Sequence, residues 1–211
     1  SPDLIAVVEE GRRQGCPTLA VTNVAGSPLT AAADHTIVLR AGQERSMAAT
    51  KTYTAQLAAL AMLSTAIAQN DEWRRELADV PSFVASAHAV DREAVLGAAR
   101  ALQHAGHGVV LGRGFNFATA FEAALKAKEL ACVAVEPYSS ADFQHGPIAL
   151  IDTGFAAIVI NADGAVSSEV EALLRTIAER GARPVVISNV PSSLALAAAP
   201  IPIPAGMPEW L

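Results

Sequence analysis

The sequence predicts an α/β protein of doubly wound parallel sheets, organised as two copies of one domain with the first copy lacking its N-terminal part. Three observations carry that expectation. Short β-rich runs alternate with helical stretches of 10 to 15 residues, the pattern of parallel βαβ units. The chain is 52% hydrophobic against 17% charged, enough to cover a sheet on both faces and too apolar for disorder. Finally, "RRQGCPTLAVTNVAGSPLTAAADHTIV" is echoed by "AERGARPVVISNVPSSLALAAAPIPI". Gly15, Asn23, Val24 and Ser27 fall on Gly181, Asn189, Val190 and Ser193, an offset too long for a solenoid repeat. A chance match between two similar αβ units is the plainer alternative.

The elements follow in order. "SPDLIAVVEEGRRQG" has a Ser N-cap, Pro at the first helical position, an acid in the first turn and a closing Gly, so it predicts a helix. "PTLAVTNV" reads as a buried strand, "SPLTAAAD" as a short helix and "HTIVLRAG" as a second strand. A long Ala/Leu-rich helix is expected from about residue 50 to 68. The charged "NDEWRRELADVP" is the linker candidate, placed at 71–90 between a first domain at 1–70 and a second at 91–211. The second domain opens on a helix near 91–104. It continues with the strand "GVVLGRG", a helix over 116–132, a polar loop around 138–147 and the strand "FAAIVINA". A helix over 167–180 and the strand "RPVVISNV" complete it. Both ends of the chain read as cut, which suggests a piece of a longer polypeptide with the second domain truncated at its C-terminus.

Composition excludes several classes of function. A net charge of −6 argues against nucleic-acid binding, which needs clustered Lys and Arg. Cys16 and Cys132 lie in apolar sequence and are expected to be buried free thiols of a reducing compartment. No signal peptide precedes them, and the longest apolar run, 57–68, is shorter than the ~20 residues of a membrane span. A cytoplasmic protein without membrane contact is the expectation. The five His are dispersed and no His/Cys/acid spacing fits zinc, so no metal is expected. Cys16 has no neighbouring base to make it a nucleophile.

Chemistry concentrates in two places. In "AFEAALKAKEL", Glu122, Lys126 and Glu129 project from one helical face. They form either a solvated stripe with a weak ion pair or a carboxylate tuned by a lysine for proton transfer. In "YSSADFQHGP", three hydroxyls and an acid precede His145, which Gly146 and Pro147 hold on a loop rim. That imidazole is either a structural turn residue or a group that titrates near neutrality against a hydroxyl. Ser1, at a helix start, is an N-cap or a phosphate contact. "GQERSMAATKTYT" sets hydroxyls and Lys51 before a helix, where they bind a polar ligand or cap the helix. "GRG" at 112–114 lacks the spacing of a dinucleotide loop.

"EAALKAKEL…VEPYSSADFQHGPIALID" resembles the second sugar-isomerase (SIS) domain of the glucosamine-6-phosphate synthase family, and "ERSMAATKTYTAQL" the end of its first. "SPD" is similar to the last part of that family's Ser-rich phosphate loop. The resemblance spans essentially the whole chain and implies two tandem SIS-type, flavodoxin-like domains. It implies that Glu129 shuttles a proton between C1 and C2 of an open-chain sugar phosphate, and that Lys126 assists, with Glu122 in the same site. His145 is implied to open the hexose ring and to reach the neighbouring site of a homodimer. Ser1 corresponds to a phosphate contact, and the loop bearing Met47, Ala49, Thr50 and Lys51 borders the sugar. No cofactor is implied.

Several features depart from the synthases. Nothing here resembles their amidotransferase domain, and their Schiff-base lysine has no counterpart before Leu211. "AATK" replaces the usual "ASTK", as in stand-alone tandem-SIS proteins that include amino-sugar-phosphate deaminases. "NADGAVSSE" stands where a second phosphate loop would fall, so one sugar site per chain is expected. The expected activity is aldose–ketose isomerisation of an amino- or keto-hexose 6-phosphate, coupled to loss or gain of ammonia. The isomerase portion of a glutamine–fructose-6-phosphate transaminase is one rival. A sugar-phosphate-sensing module without turnover is another.

Overall fold

The computed structural model describes residues 1–211 and divides into two compact units, Ser1–Leu77 and Ala78–Leu211. In the first, helix α1 (Pro2–Arg13) leads to strand β1 (Leu19–Thr22), short helix α2 (Pro28–Ala32), strand β2 (His35–Val38) and helix α3 (Lys51–Ala68). Strands β1 and β2 pair in parallel, Leu19 opposite His35 and Thr22 opposite Val38. A polar staple ties the helix to the strands. Asp34 accepts from the Thr18 amide (3.0 Å) and hydroxyl (2.8 Å), and pairs with Arg12 at 2.9 Å. The Thr18 hydroxyl and amide together hold the Asp34 carboxyl below its ordinary value, the nearby Arg12 adding to them.

Helix α4 (Asp71–His88) runs across the division between the units, so the residues read as a linker are helical, with Pro81 inside the helix. The second unit continues with α5 (Arg92–Leu102), β3 (His107–Gly112), α6 (Asn116–Lys126), β4 (Ala134–Ser139) and α7 (Ser140–Gln144). It ends with β5 (Ala156–Asn161), α8 (Ser167–Glu179), β6 (Val185–Ser188), α9 (Pro191–Leu194) and β7 (Ala199–Pro202). All five strands are parallel in the order β4-β3-β5-β6-β7.

The strands are apolar in continuous runs because both faces are covered. Val109, Leu111, Ala157, Val159 and Val186 meet Phe143 and the apolar side of α8 on one face. Val110, Val135 and Ile160 meet Ala120 and Ala124 of α6 on the other, where Ala98 of α5 also packs. Gly112 lies so close to the Asn116 backbone at the start of α6 that any side chain there would collide.

The structure carries the internal echo into three dimensions. Gly15 and Gly181 both take positive φ, +76° and +91°, just beyond α1 and α8. The Thr22 hydroxyl accepts from the Val24 amide as the Ser188 hydroxyl does from the Val190 amide. Three expectations need correction. The cysteines are unpaired but exposed: Cys16 follows the Gly15 turn, and Cys132 closes a helix in left-handed conformation with φ 55°. Residues 138–147 are largely ordered into the end of β4 and helix α7, not a loop. A sixth and seventh strand were hidden by prolines, Pro137 in β4 and Pro200 and Pro202 in β7. Both are edge strands, where a missing amide donor is tolerated.

Candidate active site

Helix α6 does not end as an α-helix. From Ala127 to Ala131 it widens into a single π-turn, which Cys132 closes by donating its amide to the Ala127 carbonyl. Such turns sit at functional sites more often than elsewhere. Glu129 rides on this turn. Lys126, the last α-helical residue, places Nζ 3.2 Å from Glu122 Oε1 and 2.8 Å from Glu129 Oε2. The side chains of Lys126 and Glu122 are 21% exposed and that of Glu129 36%, so the lysine and Glu122 are partly shielded while Glu129 faces solvent.

One ammonium thus sits between two carboxylates. Its hydrogen bond to Glu129 is the main cause that holds the Lys126 pKa above the ordinary lysine value, and the Glu122 contact adds to it against partial burial. Lys126 is therefore a permanent cation at neutral pH. It leaves the cluster one net negative charge, and Glu129 Oε1 makes no hydrogen bond within the chain. A carboxylate with one bound and one unengaged oxygen can accept a proton while its neighbour steadies the charge that develops.

His145 caps the C-terminus of α7, its amide donating to Asp142 O at 3.1 Å, and its exposed imidazole makes no hydrogen bond within the chain. Three local features aim it outward. The Ser139 hydroxyl caps α7 through the Ala141 amide, and Phe143 is fully buried against Tyr138, ring centroids 5.4 Å apart. Gly146 takes φ 150°, ψ −60°, a conformation side chains resist. The structure does not join His145 to the Glu122–Lys126–Glu129 cluster by any hydrogen bond. Lys128, off the face, pairs instead with Glu136 at 3.2 Å.

The other candidates lie in the first unit. Ser1 stands at the N-cap of α1, yet its hydroxyl accepts no helix amide and reaches only Asp3 Oδ2 at 3.4 Å. Ordinary side-chain capping is therefore not what this serine does. In the 39–50 loop, Ala48 is buried and anchors the turn, Ala49 is partly buried, and Met47 is fully exposed. Thr50 precedes α3, and Lys51 turns its ammonium back onto the Gln43 carbonyl. Sequence reasoning missed Glu44, whose carboxylate accepts from the Thr50 and Thr52 amides at 3.2 and 3.1 Å. Those bonds, the Thr52 amide first, hold its pKa down. An acid ahead of a helix start was the available signal. No cluster of three or more His, Cys, Asp or Glu is arranged to hold a metal, and no helix is long and apolar enough to cross a membrane.

This chain is 34% identical over 194 residues to a glutamine–fructose-6-phosphate aminotransferase (isomerizing) of Staphylococcus aureus, covering 88% of this chain and 32% of that protein. Identity to the Thermococcus kodakarensis protein of the same name is 35% over 196 residues, 89% of this chain and 32% of the other. The chain thus spans about a third of the length of the curated relatives it matches. Among solved structures, the C-terminal domain of glucosamine-fructose-6-phosphate aminotransferase from Francisella tularensis superposes with a TM-score of 0.83. That match has 26% identity and covers 89% of this chain and 56% of the other. The family model described as the SIS domain matches residues 1–66 and 101–209, on either side of the helix that crosses the two units, and the chain belongs to that family.

Proposed function

We propose that this chain is the sugar-handling part of a phosphosugar isomerase-type enzyme acting on an amino- or keto-hexose 6-phosphate, its isomerisation coupled to loss or gain of ammonia. The observation that carries the reading is the clamp of Lys126 between Glu122 and Glu129 on a π-turn. The isomerising aminotransferases it resembles supply the substrate class.

In this reading the free oxygen of Glu129 removes the proton from C2 of the open-chain aldose. Electrons move into a C1–C2 double bond as the carbonyl electrons shift onto O1, giving an enediolate. Glu129 then returns its proton to C1 while the O2 hydroxyl proton passes to O1, which leaves the ketose. Lys126 steadies the negative charge on the enediolate, and Glu122 holds Lys126. His145, solvent-facing on its cap, protonates the ring oxygen as the C1–O5 bond breaks and the anomeric hydroxyl loses its proton to water, acting in the site of the other subunit of a homodimer. Ser1 and the residues Met47, Ala49, Thr50 and Lys51 contact the phosphate and sugar. No step needs a metal or organic cofactor.

A second reading, the isomerase portion of a glutamine-dependent aminotransferase, is favoured by the 34–35% identity to proteins of that name. Proton NMR of glucosamine 6-phosphate and fructose 6-phosphate in deuterated buffer tests the proposal, with ammonia followed in parallel. Exchange at C1 and C2 with ammonia release supports the deaminating enzyme, and exchange alone supports the aminotransferase portion. Glu129→Gln is expected to slow exchange at least about a hundredfold, the usual weight of a general base, with binding within a few-fold. Sugar phosphate that binds with no exchange in the parent chain would overturn catalysis in favour of sensing.

A further inference from the structure

The five-stranded sheet of the second unit reverses its strand order between β3 and β5. From β3 the chain passes through α6 to β4 on one side. From β5 it passes through α8 to β6 on the other. In open α/β sheets the crevice beyond the carboxyl ends of the strands at such a point is where ligands bind. Its walls here are the β3–α6 turn, Gly112 to Gly114, and the β5–α8 turn, residues 162–166. The second wall leads into the N-terminus of a 13-residue helix, which no side chain caps and whose dipole favours an anion. An ion pair of 2.8 Å between Arg113 and Glu169 ties the two walls together.

The crevice already holds a carboxylate, and it belongs to the chain itself. Glu209 Oε2 accepts from the Ala165 amide at 3.0 Å, across 44 residues of sequence. Its carboxyl group presses against Gly164 so closely that a Cβ at that position would collide with it. Glu209 Oε1 also lies 4.0 Å from where a Cβ of Gly114 would stand, on the opposite wall. The route of the backbone delivers it there. The Ile203 amide extends the β7–β6 ladder to Ser188 O, Gly206 turns the chain at φ +89°, and the Leu211 amide closes a turn onto Pro208 O. Glu44 makes an instructive contrast in the first unit, because it caps α3 from only six and eight residues away. Local capping is ordinary; a carboxylate brought back over β7 into a glycine-lined crevice is a long-range contact.

We propose that Glu209 is the built-in anionic ligand of this crevice and that segment 203–211 is a strap, which closes the second unit to phosphate and other small anions. This inference stands apart from the proposed catalysis, since none of the residues assigned there takes part in it.

The test uses the full chain, isotopically labelled, with inorganic phosphate as the probe and the amide signals of Gly114, Gly164 and Ala165 as the readout. In the parent chain these signals are expected to stay in place. In Glu209→Ala they are expected to shift saturably with phosphate, and the Ala165 amide to exchange about tenfold faster or more, as loss of a bond to a charged acceptor implies. Glu209→Gln, which keeps an acceptor but no charge, should fall between. Saturable phosphate shifts in the parent would overturn the proposal whether or not a variant folds. A folded Glu209→Ala variant with an unchanged Ala165 amide, or with no response to phosphate, would overturn it equally.

Discussion

Ser140 makes the sharpest single-residue case. It is fully buried at the first position of α7, and its hydroxyl has no hydrogen-bond partner. An unsatisfied buried hydroxyl costs about 1–3 kcal/mol, so Ser140→Ala should leave the chain equally stable or raise its stability by about 1 kcal/mol. Urea unfolding reads this directly, and a loss of stability would mean that the hydroxyl has a partner. Sequence reading could not separate the hydroxyls of this stretch, since "YSSADF" gives no sign that Ser139 caps a helix while Ser140 is buried without a partner. By contrast, the Glu122, Lys126 and Glu129 grouping was legible, because helical spacing alone brings such residues to one face. Glu209 was not. Its partner, Ala165, is 44 residues away, and no local pattern marks a contact made only after the sheet is assembled.

At the scale of elements, strands flanked by Gly and Asn and helices with clear start and stop residues were readable. Those that depend on position in the sheet were not. β4 and β7 carry prolines that speak against a strand until their edge location is known. The π-turn was equally hidden, since "AKELA" has the composition of an ordinary helix. Helix α4 carries a testable flaw. Pro81 lies inside it, exposed, and cannot donate to the carbonyl four residues earlier, on Leu77. Pro81→Ala should restore that bond and slow amide exchange along 71–88, with a gain of about 1–3 kcal/mol in helix stability. Faster exchange in the variant would mean that the proline is fitted to this helix in a way its sequence position conceals.

For the molecule as a whole, the doubled architecture was visible in the echo at 15–33 and 181–199 because both copies give a glycine and a hydroxyl residue the same backbone tasks. What the pattern could not reveal is how differently the two sheets end. In the five-stranded sheet, proline interrupts both outer strands and denies an incoming chain a continuous row of donors. The two-stranded sheet, "LAVT" beside "HTIV", has no proline in either strand, and each strand keeps one margin to which no other strand bonds. That difference governs how the isolated chain behaves in a concentrated solution. Light scattering should detect concentration-dependent growth past a closed dimer, and Thr36→Lys, at an exposed strand position, should suppress it. A species of fixed size at every concentration would sink the idea. If growth is seen, its colloidal limit is set by four residues of open backbone and not by the net charge of −6, which ought to keep the molecules apart.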